Sequence, residues 1–154
     1  MRALFPMLLL WAALLSAAPL LFGAPPGPVS LDQVKAEPNA EHRARLAVDY
    51  AAVAEKNAEA AYAKGDLEAT AAELKNLQSG FEAAEEAFIA SHKTPGRNPG
   101  PYKYAEMRSR ELLIRLNDLE HRMDSGEREM IAGVRAKVQE IHDLWFEGIM
   151  GRTK

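Results

Sequence analysis

From residue 40 to residue 150 apolar positions recur at intervals of three and four, and no stretch alternates with period two. That spacing predicts amphipathic helices and no strand. The first long helix is expected over residues 40–64, which contain no glycine or proline and are dense in alanine, the strongest helix former. Leu46, Tyr50 and Val53 form one seam, and Ala47, Ala51, Ala54, Ala58 and Ala61 form a small-residue stripe beside it. Asn57 either continues the seam as a buried polar residue or lies at its edge, if the seam shifts onto the alanines. Gly65-Asp66 closes this helix and opens the next, expected over residues 66–92. There Leu67, Leu74, Phe81 and Phe88 follow one another by sevens, with Thr70, Leu77 and Ala84 between them. Gly80 interrupts this helix, costs it about 1 kcal/mol against alanine and offers a place to bend.

Residues 93–101 hold Pro95, Gly96, Pro99, Gly100 and Pro101 and read as a loop. A third helix follows to about Met123, with Ala105, Ser109, Leu112, Leu116, Leu119 and Met123 on its seam and Leu113 widening it. Glu106→Arg110, Glu111→Arg115 and Asp118→Arg122 stand four apart in the favourable order on its outer side. Asp124-Ser125-Gly126 makes a tight turn into a fourth helix over residues 127–150, with Ile131, Val134, Val138, Ile141 and Trp145 inward. The expected fold is all-α: an antiparallel four-helix bundle made of two long helical hairpins. The alternative is two hairpins packed less tightly, as in a repeat protein.

The bundle domain occupies residues 39–150, and two segments precede it. Met1-Arg2 and the apolar run from Ala3 to Phe22 have the layout of a secretory signal in residues 1–24, so the chain is expected to be secreted or periplasmic. A run of this length also serves as an uncleaved membrane anchor, with the helical domain outside the cytoplasm. Residues 25–38 form a proline-rich linker in which Ser30-Leu31-Asp32-Gln33 has capping-box spacing for one helical turn. Pro38 ends that turn, and Asn39 caps the long helix after it.

Composition narrows the function classes. The chain has 154 residues, 19 Lys and Arg against 22 Asp and Glu, and no cysteine. Residues 1–24 hold one of those basic side chains, Arg2, and none of the acidic ones. That balance excludes a strongly basic nucleic-acid binder. Without cysteine there is no disulfide scaffold, thiolate zinc site or cysteine nucleophile.

One short stretch carries a family resemblance. Ala58 to Ala69, with the aromatic Tyr62 and the turn Gly65-Asp66, resembles the middle of a tetratricopeptide repeat. The likeness covers these residues only: the Leu-Gly pair of that family's first helix is missing, and no second copy follows at the repeat spacing. The resemblance implies a peptide- or protein-binding module.

The side chains with chemical potential are few. Asp118 and His121 share one helix face, but a carboxylate-bridged metal centre needs two such pairs and further inward carboxylates, so no metal or other cofactor is expected. Glu82, Glu85 and Glu86 form an acidic patch on an outer face. No glycine-rich phosphate loop or nucleophile elbow is present, and no enzyme is expected.

Two features point instead to binding a protein partner or a second copy. Leu144, Trp145, Phe146, Ile149 and Met150 crowd two turns, more than one seam buries, so Trp145 and Phe146 are candidate contacts. Residues 93–104 combine Lys93, Arg97 and Lys103 with Tyr102 and Tyr104 on a backbone stiffened by three prolines. Arg97, Tyr102, Lys103 and Tyr104 are therefore candidates for docking an anionic partner. Membrane contact is expected only through an uncleaved N-terminal segment. The alternative function is a small-molecule or cofactor carrier, with a cavity lined by Tyr50, Tyr62, Phe81 and Trp145.

Overall fold

Each of the first three helices starts at a side chain able to accept a backbone N–H. Ser30 Oγ accepts from Gln33 at 3.2 Å, Asn39 Oδ1 from His42 at 2.9 Å, and Asp66 Oδ1 from Ala69 at 3.0 Å. The computed structural model describes residues 30–151; the signal segment, residues 1–24, and the first part of the linker, residues 25–29, lie outside the described residues. Five helices follow in order: α1 Leu31–Lys35, α2 Ala40–Ala63, α3 Leu67–Ala90, α4 Pro99–Arg122 and α5 Arg128–Ile149. The described chain is an all-α helical bundle without strands.

α2 and α3 form one antiparallel hairpin, α4 and α5 the other, and α1 lies against the first. In cross-section α2 borders α3 and α4, and α5 borders the same two, so α3 and α4 occupy opposite corners. Asn98 pairs with Glu41, Tyr104 with Asp49, Arg115 with Glu55 and Arg122 with Glu59. Those pairs ascend together, so α2 and α4 run side by side in the same direction. Residues 91–98 must therefore cross one end of the bundle diagonally.

α2 and α3 approach one another most closely along their length. The buried face of α2 is the alanine stripe, including Ala47, Ala51, Ala54 and Ala58, while Leu46 and Tyr50 are half-buried and Val53 and Asn57 are exposed. Gly80 explains the close approach. A Cβ there would stand 2.9 Å from Ala51 Cβ and 3.0 Å from the Ala47 carbonyl, so glycine here makes room for the neighbouring helix.

α4 begins at Pro99, three residues earlier than a loop ending at Pro101 implies. A helix leaves its first N–H groups unpaired, so Pro99 and Pro101 lose nothing in the first turn, and their fixed φ suits it. Two of the three expected ion pairs along α4 are redirected as well. Glu106 does hold Arg110, but Arg115 turns to Glu55 and Arg122 to Glu59 on α2. The parallel neighbour offers carboxylates that the pattern of α4 alone does not reveal.

Candidate functional site

The capped end, where residues 91–98 cross, brings the two groups of sequence candidates together. Beneath the crossover lies an aromatic cluster. Phe88 stacks on Tyr102 with centroids 4.1 Å apart and meets Trp145 edge-on at 5.5 Å; Trp145 in turn stacks on Phe81 at 5.9 Å. Rings from α3, α4 and α5 thus fill the diagonal that smaller side chains would leave open. Tyr102 and Trp145 are 6% and 4% exposed. Both belong to the core, which corrects the expectation that they contact a partner. Tyr102 is also helical, not part of a loop.

The crossover is pinned from several sides. Tyr102 donates its hydroxyl proton to the Lys93 carbonyl at 2.8 Å, and burial pushes its pKa up, keeping it a neutral donor. Lys93 Nζ pairs with Glu41 at 2.9 Å, and Asn98 donates to the same carboxylate. Pro95 sits on the last turn of α5, where a Cβ on Gly148 would lie 2.7 Å from Pro95 Cγ. His92 takes φ 54, the left-handed conformation that turns the chain out of α3.

Above this support, Arg97 and Lys103 are exposed and have no ion-pair partner among the described residues. Tyr104 is half-buried. It donates to Asp49 while the Arg45 guanidinium lies 4.6 Å from its ring centre, so it ties α4 to α2. Burial and the Asp49 carboxylate raise its pKa. Phe146 is exposed on α5, its ring parallel to His142 with centroids 6.3 Å apart.

The proposed carrier rings do not line one space. Phe81 and Trp145 pack on each other, Tyr50 lies against Gly80, and Tyr62 sits at the far end of the bundle, within 2.9 Å of the Arg122 carbonyl. A surface groove of about 590 Å³ lies instead between α4 and α5, lined by residues including Arg110, Ile114, Arg135, Gln139 and His142.

Sequence reasoning did not find the contact of Ser109 with His142. Ser109 Oγ lies 2.8 Å from His142 Nδ1 and donates to the Glu106 carbonyl at 2.8 Å. In that arrangement the imidazole Nδ1–H donates to Oγ. Ser109 is completely buried, so no substrate reaches its hydroxyl. Only the seam position of Ser109 hinted at this pair. Asp118 and His121 are both exposed, and His121 Nδ1 lies 3.3 Å from Asn117. Among the described residues no helix is long and apolar enough to cross a membrane.

No protein-family model, curated protein or solved structure matches this chain.

Proposed function

We propose that the chain is an interaction module that works outside the cytoplasm, as an adaptor or structural element, and binds an anionic partner through its capped end. The observation that carries this reading is the pairing of unpartnered Arg97 and Lys103 with a rigid support. Cations presented on a pinned backbone bind at a lower entropic cost than cations on a mobile loop. The reading of residues 1–24 as a signal segment or anchor supplies the location. The tetratricopeptide resemblance of residues 58–69 agrees with a binding role for a protein partner.

The test is retention of envelope components on the immobilised chain. Arg97→Ser combined with Lys103→Ser is expected to abolish most retention and its salt sensitivity while Tm moves by less than about 2 °C. Unchanged retention, or a Tm that falls in step with it, makes the crossover a connector only.

A second reading, a small-molecule carrier, rests on the groove between α4 and α5, whose volume lies in the range of ligand sites. Co-purification of a small molecule that is lost in Ile114→Arg would favour it.

A further inference from the structure

The capped end carries exposed apolar side chains as well as cations. Ile89 is 69% exposed, Met150 52%, Leu144 50% and Phe146 36%. All four lie in the last turns of α3 and α5 or just after them, at the end where the crossover sits. The other large exposed apolar residues are spread over the flanks and the far end: Val53, Leu67, Met107 and Ile114. Apolar side chains in water gain by burial, and these four stand on two separate helices around a rim. A fluid layer that is apolar inside and anionic at its surface adapts to such a rim and meets the neighbouring cations as well.

We infer that the capped end docks on an anionic lipid surface. Phe146, Met150, Leu144 and Ile89 enter the boundary between headgroups and acyl chains, and Arg97 and Lys103 meet headgroup phosphates. The inference rests on the proposed anionic partner and names its chemistry. It also extends membrane contact beyond the N-terminal segment, to which sequence alone confines it. Glu41 is already engaged by Lys93 and Asn98, so it does not neutralise Arg97 or Lys103. Glu86, Asp143 and Glu147, exposed on the same last turns of α3 and α5 as the apolar side chains, oppose the field, which makes the attraction moderate and sensitive to salt. An acidic protein surface would satisfy the two cations but leave the apolar rim in water.

The experiment is flotation of the purified chain with vesicles of phosphatidylcholine alone or mixed with phosphatidylglycerol, and retention on immobilised polyglutamate. Every variant shares the same N-terminus, so the readout is the difference between variants and between the two vesicle types. The wild type is expected to bind the anionic vesicles and be released by salt. Arg97→Ser with Lys103→Ser should weaken vesicle binding about tenfold to thirtyfold and lose polyglutamate. Phe146→Ser with Met150→Ser should weaken vesicle binding by a similar factor yet keep polyglutamate, with Tm close to wild type. Equal binding to both vesicle types, or vesicle binding untouched by either pair, overturns the inference. Polyglutamate held through Arg97 and Lys103 without any vesicle binding overturns the lipid partner alone. Loss of both overturns the anionic-partner reading too.

Discussion

The two ends of the bundle solve the same problem, joining helices, in opposite ways. At the capped end a crossover of residues 91–98 spans a diagonal and rests on Phe88, Tyr102 and Trp145, with Pro95 seated on Gly148. At the far end two tight turns suffice, and hydrogen bonds do the joining. Gly65 takes φ 74 in one turn, and the hydroxyl of Tyr62 lies 2.9 Å from the Arg122 carbonyl and 3.0 Å from Glu127 Oε2. Glu127 Oε2 also accepts the Asp124 N–H at 3.1 Å. The far end closes on itself through hydrogen bonds; the capped end hides its large rings and leaves cations and a group of apolar tips outside. The difference shows that a long connection calls for a core of its own, and such a core supports a surface that tight turns do not present.

Replacing the largest ring breaks the capped end most directly. Trp145→Ala removes contacts with both Phe81 and Phe88 and is expected to cost about 3–5 kcal/mol, measured by denaturant unfolding. Gly148→Ala pushes a methyl into the Pro95 ring, which cannot rotate away. The expected cost is about 1–3 kcal/mol, with hydrogen-exchange protection lost around residues 91–98 before the far end changes. At the far end, Tyr62→Phe deletes a hydrogen bond without opening a cavity and should lower stability less than either capped-end substitution in the same unfolding experiment.

The smallest effect concerns the seam between the ends. Glu55 is buried on α2 and accepts from Arg115 at 3.1 Å; burial pushes its pKa up despite that partner. A carboxyl raised in the folded state contributes stability below its unfolded pKa and loses it as pH rises through the folded value. Wild type should therefore lose stability relative to Glu55→Gln between pH 4 and pH 7. Paired unfolding curves at the two pH values check this. A gap that stays constant across that range would contradict it.

Much of the fold was legible in the sequence because helix signals are local. Ser30, Asn39 and Asp66 cap the helices expected of them, and Leu74, Leu77, Phe81 and Phe88 are buried on one face. The start of α4 was not, because Pro99 and Pro101 signal a loop and a helical first turn equally well. The partners of Arg115 and Arg122 were not, since periodicity does not say which helix lies alongside α4. The candidate site was legible in pieces. Arg97 and Lys103 stand exposed as expected, and of the crowded end of α5 Leu144, Phe146 and Met150 remain outside. That both pieces share one end follows from the antiparallel pairing of α4 with α5, already implied by the expected hairpin, and that Trp145 and Tyr102 turn inward follows from the diagonal they fill.

The absence of cysteine allows the most direct test. A single environment-sensitive fluorophore is placed at the capped end through Met150→Cys, and in a second protein at the far end through Glu68→Cys. On addition of phosphatidylglycerol vesicles the label at position 150 should shift to the blue and become accessible to lipid-borne quenchers, while the label at position 68 stays as in water. Equal responses at both ends, or a response at position 68 alone, would contradict the assignment of the capped end as the docking surface.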